Sequence, residues 1–132
     1  MKTIATIYAS ILLLMGLAYV FAPGILFSSV GGTLEAGAAT TDFRATYGGA
    51  HIALGFFCLL RRSNANDLYG TFILLSAVMG FVGIVRIAGV LLDGGAQTLN
   101  ILASTSEIAS GCLMLYCAGR VRRDIKSPNM DR

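Results

Sequence analysis

Arg44, His51, Arg86 and Glu107 lie inside long apolar stretches of this 132-residue chain. A charged side chain at the centre of a membrane helix costs about 2.5–3.5 kcal/mol, so such groups turn inward and find partners. Their spacing follows helical faces. Arg44, Tyr47, Gly48, His51 and Gly55 share one face; Arg86, Gly89, Val90 and Asp93 share a second; Asn100, Ser104, Glu107 and Gly111 share a third. Arginine is permanently charged and its planar fork matches a carboxylate, so Arg86 and Glu107 are expected to pair. Two readings stay open. In the structural one, the ion pair pins two helices together and does nothing else. In the functional one, Arg44, Tyr47, His51, Arg86, Glu107 and Asp93 line a pocket where Arg86 or Arg44 holds an anionic group. The surplus of positive charge favours the second, since Asp42 and Asp93 stand only at the rim.

His51 is the chain's single histidine. A zinc site would need further nitrogen, thiolate or carboxylate ligands at its level, and Glu107 supplies one at most. No metal and no cofactor is therefore expected. A membrane enzyme using His51 and Glu107 as acid and base is a third reading, with a proton relay as its chemistry. Cys58, Cys112 and Cys117 form no Cys-x-x-Cys pair and read as small packed thiols. The chain has no phosphate-cradling glycine loop, nucleophile elbow or Ser/His/Asp arrangement.

The elements that must position these residues follow from composition. Apolar residues make up 55% of the chain and charged residues only 13%, about half the share usual in soluble domains. Four runs, Ile4–Ala22, Phe43–Leu60, Tyr69–Leu92 and Thr98–Ala118, approach the roughly 20 apolar residues that cross a bilayer. The first is too long for a signal-peptide core and is followed at once by Pro23, so it reads as a retained helix. The basic residues Lys2, Arg61, Arg62, Arg120, Arg122, Arg123, Lys126 and Arg132 fall on one side if the chain crosses four times. Pro23–Asp42 and Asp93–Gln97 carry no Lys or Arg. Both termini are then cytoplasmic, and a multi-pass protein of a bacterial inner membrane fits. The expected fold is an all-α, four-transmembrane-helix up-down-up-down bundle over residues 1–119, with a basic cytoplasmic tail over 120–132. The net charge of +3 describes the flanks, and no basic patch interleaved with aromatics suggests nucleic acid.

At 1.5 Å per residue, His51 should lie roughly 10 Å below the outer surface, Arg86 at a similar depth, and Glu107 roughly 13 Å down. All three fall in the outer half. Gly48, Gly49 and Gly55 on the second helix, and Gly80 and Gly83 with Ser76 on the third, read as packing strips that let backbones approach in lipid. The Pro23–Asp42 loop is too long to be structureless, and part of it is expected on the outer interface or over the bundle. Asn66 or Asp67 is placed to cap the third helix. A tight turn at Gly94-Gly95 makes the third and fourth helices antiparallel neighbours.

Arg44-Ala45-Thr46-Tyr47-Gly48-Gly49, then Gly55, then Arg86-Ile87-Ala88-Gly89 and Asp93-Gly94, resemble the bacterial membrane family called domain of unknown function 4345. The resemblance spans nearly the whole chain, including the proline after the first helix and the acidic residue in the fourth. It implies a small four-helix membrane protein, similar in layout to DoxX-like proteins, and it implies no activity. The leading expectation is binding of a lipid or small amphipathic anion in an outer-leaflet pocket between helices two, three and four. The alternative is a structural or accessory subunit of a larger membrane complex, or a homo-oligomer. Membrane lipids are the expected partners and nucleic acid is not.

Overall fold

The computed structural model describes residues 1–35, 37–93 and 98–127, with the backbone alone for Asp93. Among the described residues all regular structure is helical. The chain forms two compact units: Thr3–Leu60, and Arg61–Arg132 with Met1–Lys2.

In the Thr3–Leu60 unit, α1 (Lys2–Phe21) is an unbroken apolar run. It stops because Pro23 disfavours helix at the residue before it, and Ala22 has left helical geometry at φ −131° and ψ 48°. Pro23 then opens α2 (Pro23–Ser29), at a position where its missing N–H costs nothing. Gly31, at φ 85°, ends α2 in a left-handed cap. Its N–H donates to the Ser28 carbonyl at 3.0 Å, and the Gly32 N–H donates to that of Phe27 at 3.1 Å. The expected long loop thus holds a short helix, and α3 (Ala38–Phe43) follows it.

The expected single helix over Phe43–Leu60 is composite. After α3 comes a π-helical segment, Arg44–Gly49, and then α4 (Ala50–Arg61). Residues 43, 44 and 50 all have ordinary helical dihedrals, so the chain keeps its direction while one turn widens. Close approach to α1 explains two of the glycines. A Cβ on Gly16 would lie 2.9 Å from the Gly48 carbonyl oxygen and 2.8 Å from the Ile52 nitrogen. One on Gly55 would lie 2.8 Å from the Ala9 carbonyl oxygen. Those neighbours are backbone and cannot turn aside.

In the other unit, α5 (Ala65–Asp93) begins at a cap supplied by Asn64, whose Oδ1 accepts the Asn66 N–H at 2.9 Å. The cap therefore lies ahead of the expected Asn66 or Asp67, because the Asn64 side chain reaches the orphan N–H groups of the first turn. Asp67 instead takes the Arg61 guanidinium at 3.2 Å. The partner helix α6 (Thr98–Lys126) runs antiparallel to α5: Ser76 Oγ donates to the Gly111 carbonyl at 2.9 Å, and Gly83 faces Ile108. The Gly94-Gly95 turn lies outside the described residues. α6 also outruns the expected span. Its buried face, Met114, Cys117, Ala118 and Val121, keeps helical spacing past residue 118, so the start of the basic tail is helix.

Among the described residues three helices, Lys2–Phe21, Ala65–Leu92 and Thr98–Lys126, are long and apolar enough to cross a membrane. Large apolar side chains such as Phe21, Phe81, Leu91 and Leu92 are exposed, which water tolerates poorly over so wide a surface. Glycines stand at the closest approaches between helices, Gly16, Gly55 and Gly111 among them, as in membrane proteins.

Candidate functional site

Arg86 on α5 meets Glu107 on α6. Its Nη2 donates to Oε1 at 2.7 Å, and its Nε donates to Oε2 at 2.9 Å and to Oε1 at 3.2 Å. This is a bidentate, charge-assisted pairing, the strong form of an ion pair. The Arg86 side chain is 32% exposed and that of Glu107 16%. Gly83 makes the fit possible: a Cβ there would lie 3.2 Å from the Glu107 Cβ and 2.8 Å from the Ile108 Cδ1. One turn along the same stripe of α6, buried Ser104 donates to its own helix, at the Asn100 carbonyl, 2.7 Å away.

Beside the pair runs an open groove of about 520 Å³ between α5 and α6. Ile87 and Ile108, which directly follow Arg86 and Glu107, line it with Val90, Leu91, Ile101 and Ala109. Ser104 and Thr105 also line it, but their hydroxyls already donate to carbonyls of α6 at 2.7 and 2.8 Å. The groove therefore suits hydrocarbon better than a polar head. Its volume lies in the roughly 300–1,000 Å³ range of small-molecule sites. A smaller hollow of about 150 Å³, lined by Ser76, Gly80, Gly111 and Cys112 among others, lies along the same helix pair.

The Thr3–Leu60 unit holds the other expected residues. Tyr47 and His51 belong to a ring cluster with Tyr19, Phe27 and Phe43. Tyr19 lies 5.2 Å from His51 and 5.6 Å from Phe43 between ring centroids, and Phe43 lies 4.5 Å from Tyr47. These separations are those of packed aromatics and leave no room for a guest between rings. His51 Nδ1 is 2.7 Å from the Tyr47 carbonyl oxygen. A carbonyl only accepts, so Nδ1 carries the proton of this bond.

Arg44, expected on the interior face with Gly48 and Gly55, is exposed, whereas those two glycines are buried. The π segment is the physical reason: a wider turn carries more residues and rotates positions away from α-helical register. Sequence spacing missed that widening, as it missed Tyr19 and Gly16 on α1. The double glycine at 48–49 was the available signal, since glycine weakens α-helical preference. Gly49 and Gly80 have open space where a Cβ would be, but Gly80 supplies the backbone nitrogen that a Cβ on Gly111 would meet at 3.1 Å. The Asp93 side chain lies outside the described residues.

The expected site residues thus form two sets, Arg86 with Glu107 in one unit and Tyr47 with His51 in the other. The cysteines are free thiols: Cys58 and Cys117 are buried, and Cys112, expected as a packed thiol, is exposed on α6. Among the described residues no cluster of His, Cys, Asp and Glu large enough to hold a metal comes together.

Membrane-type helices, a polar pair set within them and a hydrocarbon-lined groove define an all-helical protein of membrane character. The chain belongs to the family described as Domain of unknown function (DUF4345), which matches residues 1–118. No curated protein and no solved structure matches the chain.

Proposed function

We propose that this chain is a multi-pass protein of a bacterial inner membrane that binds a lipid or small amphipathic anion between α5 and α6. In this reading it crosses four times, the second crossing running through the π segment over Phe43–Leu60, with both termini in the cytoplasm. Residues 1–119 form the membrane domain and 120–132 its basic cytoplasmic end. The observation that carries the binding reading is the hydrocarbon-lined groove beside Arg86 and Glu107. The groove meets the pair at Ile87 and Ile108, beside the Arg86 guanidinium, which is partly exposed. Arginine is suited to a carboxylate or phosphate there.

The test is mass-spectrometric identification of amphiphiles that co-purify with the full chain after lipid-preserving extraction. Ala109→Trp, which fills the groove from an exposed position, should abolish retention of that amphiphile while helical content stays unchanged. Equal retention by wild type and a folded Ala109→Trp variant would refute groove binding.

A second reading, a structural or accessory subunit, draws support from the completeness of the Arg86–Glu107 bidentate pairing. The Arg86→Glu, Glu107→Arg exchange separates the two. Restored stability without amphiphile retention favours a ligand site, and full restoration of both favours a clamp.

A further inference from the structure

The end of the α5–α6 unit away from the groove carries a second feature. α6 continues past its apolar span to Lys126, and Arg120, Arg122, Arg123 and Lys126 on that extension are all exposed. The extension is amphipathic: Val121 is buried and Ile125 half-buried on its opposite face. The Ser76–Gly111 hydrogen bond sets the register of the two helices. Counting equally along both from that bond brings Asp67 level with Arg120. Arg61, bonded to Asp67, stands at that level, and Arg62 is its neighbour in sequence. Lys2 belongs to the same unit. The carboxylates at this end are few: Asp67 is engaged by Arg61, and Asp124 is exposed among the arginines.

We infer that this basic end is a docking surface for the headgroups of anionic phospholipids in the leaflet that faces it. Three observations converge on a lipid. The cations begin within a turn of the buried residues Cys117 and Ala118, where the continuous apolar run of α6 ends, which sets them at the height of lipid phosphates. The helix there keeps an apolar stripe, so its basic face is held at fixed positions along a rod. The cluster on α6 alone numbers four cations, with Arg61 held at the start of α5 by Asp67, and clusters of four to eight Lys and Arg at such a place attract anionic lipid. The surface is independent of the groove: Glu107 and Arg122 are separated by roughly 22 Å along α6.

The test uses the purified full chain in detergent, with lipid retention read by native mass spectrometry. Phosphatidylglycerol and phosphatidylcholine of matched chains are titrated separately. Wild type should retain phosphatidylglycerol at least tenfold more strongly, and the preference should fall steeply with added salt. The Arg120→Gln, Arg122→Gln, Arg123→Gln variant should weaken phosphatidylglycerol retention by about 100-fold, from three surface cations acting together. The matching Arg→Lys variant should keep it. Circular dichroism checks that both variants retain wild-type helicity, and wild-type lipid preference and salt dependence test the inference even if a variant misfolds. Equal retention of the two lipids overturns the inference, as does undiminished retention in the glutamine variant. Displacement of the lipid by equimolar glycerol phosphate also overturns it, because the surface would then recognise a soluble phosphate.

Discussion

Neutralising Glu107 probes the Arg86–Glu107 pair most directly. The Glu107→Gln side chain keeps the shape and one acceptor oxygen, but it takes the carboxylate charge away from the Arg86 guanidinium. Breaking a fully buried pair by removing one partner costs about 3–5 kcal/mol, while an exposed pair is worth about 0–1 kcal/mol. Arg86 is 32% exposed and Glu107 16%, so the pair stands nearer the buried limit than the exposed one. Glu107→Gln should therefore cost about 2 kcal/mol after discounting for the exposed part of Arg86. Arg86→Gln should cost a similar amount. The double Gln variant should cost less than the sum of the two, because it leaves no unpaired charge, giving a coupling energy of about 2 kcal/mol. Equilibrium unfolding of the four proteins in mixed micelles, with increasing dodecyl sulfate, measures that cycle. A coupling energy within about 0.3 kcal/mol of zero, the level expected for independent sites, would show that the geometry carries no energetic weight. Such a result would remove the clamp reading and leave Arg86 to ligand binding alone.

The two adjacent glycines of the π segment should behave oppositely. Gly48→Ala places a Cβ 2.6 Å from the Val20 Cγ2 and 3.2 Å from the Gly16 carbonyl oxygen, so it should destabilise the protein by about 1–3 kcal/mol. Gly49→Ala meets nothing within 4 Å and should be neutral or stabilising by up to about 1 kcal/mol. Thermal unfolding of both in the same detergent checks the contrast, and equal destabilisation would contradict it. Asn64→Ala removes the acceptor for the Asn66 N–H at the start of α5. It should cost about 1 kcal/mol and raise amide hydrogen exchange at residues 65–67, whereas unchanged exchange there would place the cap elsewhere.

Much of the helical outline was legible along the chain, because the signals that create it are local. Pro23 ends α1 through its own ring, whatever surrounds it. The apolar runs of α5 and α6 declare their length in composition alone. The pairing of Arg86 with Glu107 was also readable, since a lone carboxylate in apolar surroundings has few partners and arginine's fork matches it. The end of α6 was not readable. Arg120 to Lys126 looks like a solvated tail by charge, yet burial of Val121 on the continuing apolar face extends the helix through it.

Sequence by itself determined which residues are costly in lipid and that they must be grouped inside the chain's helices. It determined the basic flanks in the same way, because charge is a property of each side chain alone. Tertiary structure decided which of the costly residues meet. Arg44, counted as an interior cation by α-helical spacing, is turned outward by the widened turn at Arg44–Gly49. His51 spends its Nδ1 proton on the Tyr47 carbonyl within that same stretch of helix. Glycine at position 83 lets α6 come close enough for the Glu107 carboxylate to fill the Arg86 fork and for a hydrocarbon-lined groove to open beside it. Each of these outcomes depends on how near two backbones come and on the pitch of one turn. Both are set by packing against residues distant in the chain, which a one-dimensional spacing rule does not contain.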